Sequence, residues 1–422
     1  GNMIDCKTQN IIYQKKLREK LPAILARFAK EQGVAILTYE GEQIITETPA
    51  DVYVQKEAFV NRMSVKQVED FGTYVDFPVT KCLIVGDGDH MVTVEQRLKE
   101  LLATLHKLFQ IEKDAEITVE CNPDSVDLRA LCTLRKAGVN RLSLGMQSAQ
   151  AEELAAIHRI HTPQQTDQAA GLARKAKFNN LSLDLIYGLP GQTMDSWKAT
   201  VEHALSLIPQ HLSCYGLKVE EGTPLARRVA EGEVLPDDDQ QADLYLWTVG
   251  RLARAGYPQY EISNFAKPGF ESRHNLRYWF TRPYIGFGPG AHSDFGGRRY
   301  SFVRDLDAYI DGVLHGGNVI DSSELIPQRE RCGEYLMLRL RTAQGIDGVE
   351  YRRNYFMDFA PLEARLEQFA AQGWVERSPE GRWHFTPKGF LVSNQLIGDL
   401  LDRQEQASWE DLIVRPERGP RP

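Results

Sequence analysis

From about Leu101 to Leu314 the chain alternates short apolar runs with amphipathic stretches, and this alternation is the strongest constraint on its fold. The runs are Glu116–Glu120, Arg141–Gly145, Leu181–Tyr187 and His211–Leu217, and helical periodicity fills intervals such as Asp127–Ala137 and Thr166–Ala176. Strands separated by helices of this length predict βαβ units and a parallel sheet, an α/β fold. Glu120, Gln147, Asp184 and Lys218 stand at or just past the carboxyl ends of these runs. That end is where a parallel barrel or open α/β sheet carries its ligands, which makes the four residues site candidates.

The flanking blocks differ in character. Toward the C-terminus, Glu334–Leu340 and Pro361–Gln372 have helical periodicity, Gly373–Glu376 and Arg382–Phe385 read as a hairpin around Glu380-Gly381, and Thr386–Gly389 opens another helix. The pattern is that of a small helical, winged-helix-like module. Toward the N-terminus, Glu19–Gln32 is an amphipathic helix, Val34–Tyr39 and Gln43–Glu47 form a hairpin, and Thr80–Val85 is a further strand. The expected division is therefore 1–99, 100–316 and 317–422, in line with a length of 422 residues.

Composition narrows the function classes. A net charge of −8 argues against nucleic-acid binding, which needs a concentrated basic surface, and the C-terminal module has no basic stripe. The first residues, GNMIDCKTQNIIYQKKL, carry no apolar signal stretch, and no run is long and apolar enough to span a bilayer. A cytoplasmic protein is expected. Cys6, Cys82, Cys121, Cys132, Cys214 and Cys332 are scattered and read as free thiols rather than a disulfide framework. The closest pair, Cys121 and Cys132, is too widely spaced for a local zinc or cluster loop, so no metal site is read.

Between Tyr260 and Ser293 lies YEISNFAKPGFESRHNLRYWFTRPYIGFGPGAHS, where aromatics, a His-Asn pair and close-set glycines share one short window. Gly286, Gly288 and Gly290 do not have dinucleotide-fingerprint spacing and read as a tight loop. HNLRYW and GFGPGAHS, together with ECNP at Glu120, RLSLGMQS at Arg141, HRIH at His158 and GLPGQT at Gly188, resemble the coproporphyrinogen III oxidase-like radical-SAM family, in particular its heme-chaperone branch. The likeness covers roughly Leu101 to Leu400 and implies a partial radical-SAM (β/α) barrel.

The resemblance also implies site residues. Glu120, Gln147, Arg159 and Asp184 match positions that contact S-adenosylmethionine (SAM). A carboxylate accepts from ammonium and hydroxyl donors, and an arginine pairs with the methionine carboxylate. For Glu120 a competing reading is helix capping, which Asn122–Ser125 would perform alone. His274, with Tyr278 and Trp279, matches the proposed heme-binding element, since a neutral imidazole is an axial ligand for iron and aromatic rings stack on a porphyrin. The competing reading is a hydrogen-bonded core histidine. His292 is a second heme candidate.

The family pattern is also incomplete here. CxxxCxxC for a [4Fe-4S] cluster and GGGTP do not occur in this sequence. In their place TYEGEQIITETPADVYVQKEAFVNRM and PVTKCLIVGD resemble the α/β cap of Cof-type haloacid dehalogenase (HAD) phosphatases, without the DxDGT nucleophile loop that their chemistry requires. Gly86-Asp-Gly-Asp-His90 reads as an acidic turn, with Mg²⁺ binding as the competing reading. The expectation is a heme- or tetrapyrrole-binding chaperone that serves heme-accepting proteins and lacks reductive SAM cleavage. The alternatives are an active radical-SAM oxidoreductase of porphyrin biosynthesis and a chimera without function.

Overall fold

A computed structural model describes residues 107–406 throughout and, before them, 2–4, 11–14, 35–40, 43–51, 63–75, 82–85 and 100–105 with residues 26, 30, 54, 55 and 58. Residues 26 and 30, within the helix expected over Glu19–Gln32, are helical; the rest of that helix, the Gly86–His90 turn and Cys6 lie outside the described residues. The chain forms two compact units, Gly1–Leu244 and Tyr245–Pro422. Their division falls inside the span expected to be the barrel.

In the first unit β1 (Asn2–Ile4) and β2 (Ile11–Gln14) pair antiparallel. A mixed sheet follows, built from β3 (Ala35–Glu40), β4 (Gln43–Thr46), β5 (Ser64–Gln67) and β6 (Cys82–Val85) in the order β5-β4-β3-β6, with helix α1 (Phe71–Tyr74) after β5. The expected hairpin is present, its pairing running from Leu37↔Thr46 to Glu40↔Gln43. Ala35, Leu37, Ile44, Val54 and Ala58 form its core. Thr46 is fully buried, yet its hydroxyl donates to the Ile36 carbonyl at 2.7 Å, which removes the penalty of burying it.

The parallel sheet takes up the rest of this unit. Its strands are β7 (Thr118–Cys121), β8 (Arg141–Gln147), β9 (Leu181–Tyr187) and β10 (His211–Gly216), hydrogen-bonded in sequence order. Helices α2 (Leu128–Lys136), α3 (Ala151–Ala156), α4 (Pro163–Lys175) and α5 (Met194–Ser206) connect them, and α6 (Pro224–Ala230) follows. Three of the four connecting helices start where the sequence supplies a side-chain cap, and α3 starts without one. Asp127 accepts from the Ala130 amide, and Thr162 and Thr193 form capping boxes with Gln165 and Ser196.

Period-two alternation sorts the strand residues onto two faces of opposite character. Leu142, Leu144 and Met146 of β8, Leu183 and Leu185 of β9, and Leu212 and Cys214 of β10 are all buried. Buried residues of the connecting helices, among them Leu131, Leu134, Ala170, Trp197 and Val201, complete this apolar layer. Each such aliphatic side chain stabilises the fold by roughly 1.5–3 kcal/mol on removal from water. The opposite face carries Glu120, Arg141, Ser143, Gln147, Ser182, Asp184, His211 and Ser213, aligned by the registers Glu120↔Ser143, Ser143↔Ser182 and Asp184↔Ser213. A sheet face this polar is built to hold something other than helices.

The second unit contains the hairpin β11 (Gln259–Glu261) and β12 (Asn264–Ala266), helix α8 (Arg273–Trp279), and an antiparallel sheet of β13 (His292–Phe295), β14 (Arg298–Phe302) and β15 (Ile320–Leu325). Helix α7 (Asp238–Arg254) precedes the hairpin, and α9 (Leu306–His315) stands between β14 and β15. Helices α10 (Gln328–Arg339), α11 (Gly348–Tyr355) and α12 (Ala360–Ala371) lead to the hairpin β16 (Val375–Arg377) and β17 (Trp383–Phe385), then α13 (Pro387–Leu391) and α14 (Ser393–Gln406). The expected C-terminal hairpin is thus present around Glu380-Gly381. Tyr335, Tyr351, Tyr355 and Phe359 form an aromatic cluster with ring separations of 5.4–6.0 Å. Among the described residues no helix is long and apolar enough to cross a membrane.

Glu261, fully buried on β11, accepts hydrogen bonds from the Ser263 amide and the Asn264 side chain. Burial outweighs both and pushes its carboxyl up to about 7 from 4.5. The folded state therefore binds this proton more tightly than the unfolded state. Its contribution is complete below about 4.5 and is lost as pH rises through about 7. Glu261→Gln is expected to flatten the fall in stability between pH 4.5 and 7.5, by roughly 3 kcal/mol at most. Denaturant unfolding of both proteins across that range checks the difference.

Candidate functional site

At the carboxyl end of the parallel sheet, Glu120, Gln147, Asp184, Ile186 and Tyr215–Lys218 line a cleft of about 380 Å³. Three of the four SAM-contact candidates are therefore brought together, and Lys218 with them. Glu120, the penultimate residue of β7, is exposed and lines the cleft. Gln147 is 7% exposed and has a left-handed φ of 63° at the last position of β8, an uncommon conformation for a residue with a side chain. Its amide folds back over Gly145, where an added Cβ would lie 2.9 Å from Nε2, so a side chain there would displace the Gln147 amide from this position. No described residue hydrogen-bonds the Gln147 amide, which leaves its donor and acceptor turned to the cleft.

Asp184 is differently placed. Its oxygens accept from the Ser143 hydroxyl at 2.9 and 3.0 Å, from Ser213 at 2.7 Å and from Ser182 at 3.4 Å. Burial raises its pKa, while the Ser213 and Ser143 hydrogen bonds and the charge of Arg141 oppose that rise. Asp184 thus reaches the cleft as the centre of a serine cage, and Glu120 and Gln147 are left with the open valences. Arg159 does not line the cleft. Its guanidinium donates to Asn122 Oδ1 at 3.0 Å, in the loop that follows β7.

Two further buried polar residues of this unit, Arg141 and Glu153, lie outside the sequence-derived candidate set. Arg141 is 5% exposed on the polar face, and its Nε has no hydrogen-bond partner among the described residues. Its signal was present in the alternation Arg141-x-Ser143-x-Gly145-x-Gln147. Glu153 is 5% exposed and accepts from Ser148 at 2.5 Å, Ser196 at 2.6 Å and Gln192 at 2.9 Å. Gln192 in turn accepts from the Gly188 amide at 2.7 Å. This network ties the ends of β8 and β9 to the start of α5, and it gives Gln192 of the GLPGQT segment a structural role.

The second candidate constellation lies in the other unit. Ser272 caps α8 by accepting from the Asn275 amide at 3.2 Å. His274 and Tyr278, one turn apart on that helix, are exposed and meet edge to face at 4.9 Å, and Tyr278 meets Tyr284 in the same way at 4.6 Å. Trp279 is half-buried. His274 is thus at the surface and is not a core histidine. Tyr284 exchanges two backbone hydrogen bonds with Asp294 on β13, the strand that His292 opens. His292 is exposed, and the loop before it folds back so tightly that a Cβ at Gly286 would collide with the His292 carbonyl. The glycine-rich segment is therefore a close turn against β13.

Among the described residues no group of three His, Cys, Asp or Glu side chains could hold a metal ion. Burial holds the Cys121 and Cys332 thiols near a pKa of about 11 and raises Cys214 further, which disfavours the thiolates that ligate iron. These residues do not fit a [4Fe-4S] cluster.

Comparison with known proteins agrees with the fold and the motifs. The family model for the Radical SAM superfamily matches residues 55–204, a span that begins upstream of the expected boundary at 99. The heme chaperone HemW of Bacillus subtilis is 35% identical over 327 residues, 77% of this chain and 86% of that protein. HemW of Mycobacterium tuberculosis H37Rv is 38% identical over 329 residues, 78% and 82% of the two chains. HemW of Escherichia coli K12 is 31% identical over 351 residues, 83% and 90% of the two chains. The solved coproporphyrinogen III oxidase HemN of Escherichia coli superposes with a TM-score of 0.61 over 72% of this chain and 74% of that one, at 24% identity, a likeness of fold. With the parallel sheet, the polar cleft and the HNLRYW helix in place, the chain belongs to the HemW family of heme chaperones within the radical SAM superfamily.

Proposed function

We propose that this chain binds heme through His274 on α8, for delivery to an acceptor protein in the cytoplasm, and that its cleft binds SAM without cleaving it. The observation that carries the heme reading is the exposed His274 imidazole in a T-shaped pair with Tyr278 at 4.9 Å. Such an arrangement sets an imidazole and a phenol ring side by side, the group types that ligate heme iron and pack against a porphyrin. His292, exposed at the start of β13, is the second ligand candidate. Hemin titration of the wild-type protein against His274→Ala tests the reading. Equal affinity in the two proteins would remove it.

The SAM reading rests on the unpartnered Gln147 amide and the Glu120 carboxylate at one end of the cleft. SAM presents an ammonium, ribose hydroxyls and a base edge, which these groups are suited to meet. Arg159, outside the cleft lining and hydrogen-bonded to Asn122, is the cation this reading assigns to the methionine carboxylate. The sequence has no CxxxCxxC, so no reductive step is assigned to the bound SAM. Gln147→Asn keeps a residue that tolerates the left-handed backbone while drawing the amide back by one methylene. It is expected to weaken SAM binding about tenfold, measured by calorimetry with the secondary structure unchanged.

A further inference from the structure

A second cavity, of about 360 Å³, lies wholly in the second unit and is lined by Arg282, Arg339, Arg353 and Arg382 with Asp347, Glu350 and the Phe280 ring. The two carboxylates are already engaged. Glu350 Oε2 accepts from the Tyr335 hydroxyl at 3.2 Å, Arg339 Nη2 at 3.3 Å and Arg382 Nη1 at 3.4 Å. Asp347 Oδ1 caps α11 by accepting from the Val349 and Glu350 amides, and Oδ2 pairs with Arg382 at 3.5 Å. Among the described residues Arg282 and Arg353 meet no carboxylate, and both are exposed. Arg339 is 5% exposed, its guanidinium carbon 4.3 Å from the Phe280 ring centroid, and its Nε has no partner. A guanidinium stays charged at any accessible pH; Arg339 has its anion in Glu350, and the charges left without one are those of Arg282 and Arg353.

We infer that this cavity is an oxyanion site for a small molecule bearing carboxylate or phosphate groups. Four guanidinium groups against two carboxylates leave a surplus of positive charge at the mouth. The planar fork of arginine matches both oxyanions with paired hydrogen bonds. The volume suits a small ligand, and Phe280 offers its body an apolar wall. The inference goes beyond the heme and SAM reading, because none of these residues belongs to either constellation.

Two probes separate the sources of the anion: inorganic pyrophosphate for phosphate chemistry, and hemin against its dimethyl ester for carboxylate chemistry. The variant is Arg282→Gln with Arg353→Gln, since neither side chain makes an ion pair on which folding depends. Arg352→Gln, exposed on α11 and outside the cavity, is the control. Pyrophosphate bound by the wild type and the control, and at least about tenfold more weakly by the double variant, supports a phosphate ligand. A tenfold loss of the preference for hemin over its ester in the double variant supports a carboxylate ligand. Unchanged binding of both probes in the double variant, or no binding of either by the wild type at millimolar concentration, overturns the site. The pyrophosphate measurement does not involve His274, so failure of the heme reading shows separately, as equal hemin affinity in His274→Ala.

Discussion

Replacing His274 with alanine is expected to lower hemin affinity by at least about 100-fold, the upper end of what losing a mere outer-shell partner costs a metal site. The change removes the nitrogen that would bond to iron and leaves the apolar contacts of Tyr278 and Trp279 in place. A weak, iron-independent association should survive, so the variant is expected to lose the sharp change in the Soret band before it loses all binding. The helix itself should persist, because alanine is the best helix former and Ser272 still caps the first turn. If His292 serves as a second ligand, His292→Ala alone will produce a smaller loss and the double variant a larger one. A titration in which His274→Ala matches wild type and only His292→Ala weakens binding would move the iron from α8 to β13.

How much of this could be read from residues alone depended on whether a segment buries one of its faces. Strand β9 matches the expected Leu181–Tyr187 residue for residue, because Leu181, Leu183 and Leu185 alternate with Ser182 and Asp184 along a buried strand. The same alternation brought Glu120, Gln147 and Asp184 to one cleft. By contrast, the sheet β13-β14-β15 gave no such signal. All of β15, Ile320–Leu325, is exposed, and its residues are mostly polar. The turn before β13 is held by glycines and backbone hydrogen bonds, which leave no hydrophobic period. Arg159 illustrates a different limit: its motif matches a SAM-contact position, but a hydrogen bond to Asn122, 37 residues away in sequence, leaves no local signal. Glu153 was invisible for a related reason. Its partners Gln192 and Ser196 are 39 and 43 residues away, and nothing local requires a carboxylate at that position.

Glu153 therefore carries the other large expected effect. Its carboxylate, 5% exposed, accepts from two hydroxyls and one amide, of which Ser148 and Gln192 are themselves buried. Glu153→Ala leaves those donors only their other contacts, to Thr200, Ile186 and Thr193, and opens a small void, a loss of about 3 kcal/mol in unfolding free energy. Glu153→Gln keeps the volume and one acceptor oxygen, so it should lose about 1–2 kcal/mol. Denaturant unfolding of the two variants separates a polar network from simple packing, because packing alone predicts almost no effect for the glutamine. The consequence reaches the cleft through Ser148, which adjoins Gln147, and through Gln192, which holds the Gly188 amide just beyond β9. SAM affinity of Glu153→Gln should therefore fall further than its modest stability change requires, as Gln147 loses its strained left-handed position. Unchanged SAM affinity in a measurably destabilised Glu153→Gln protein would show that the network supports the sheet without positioning the site.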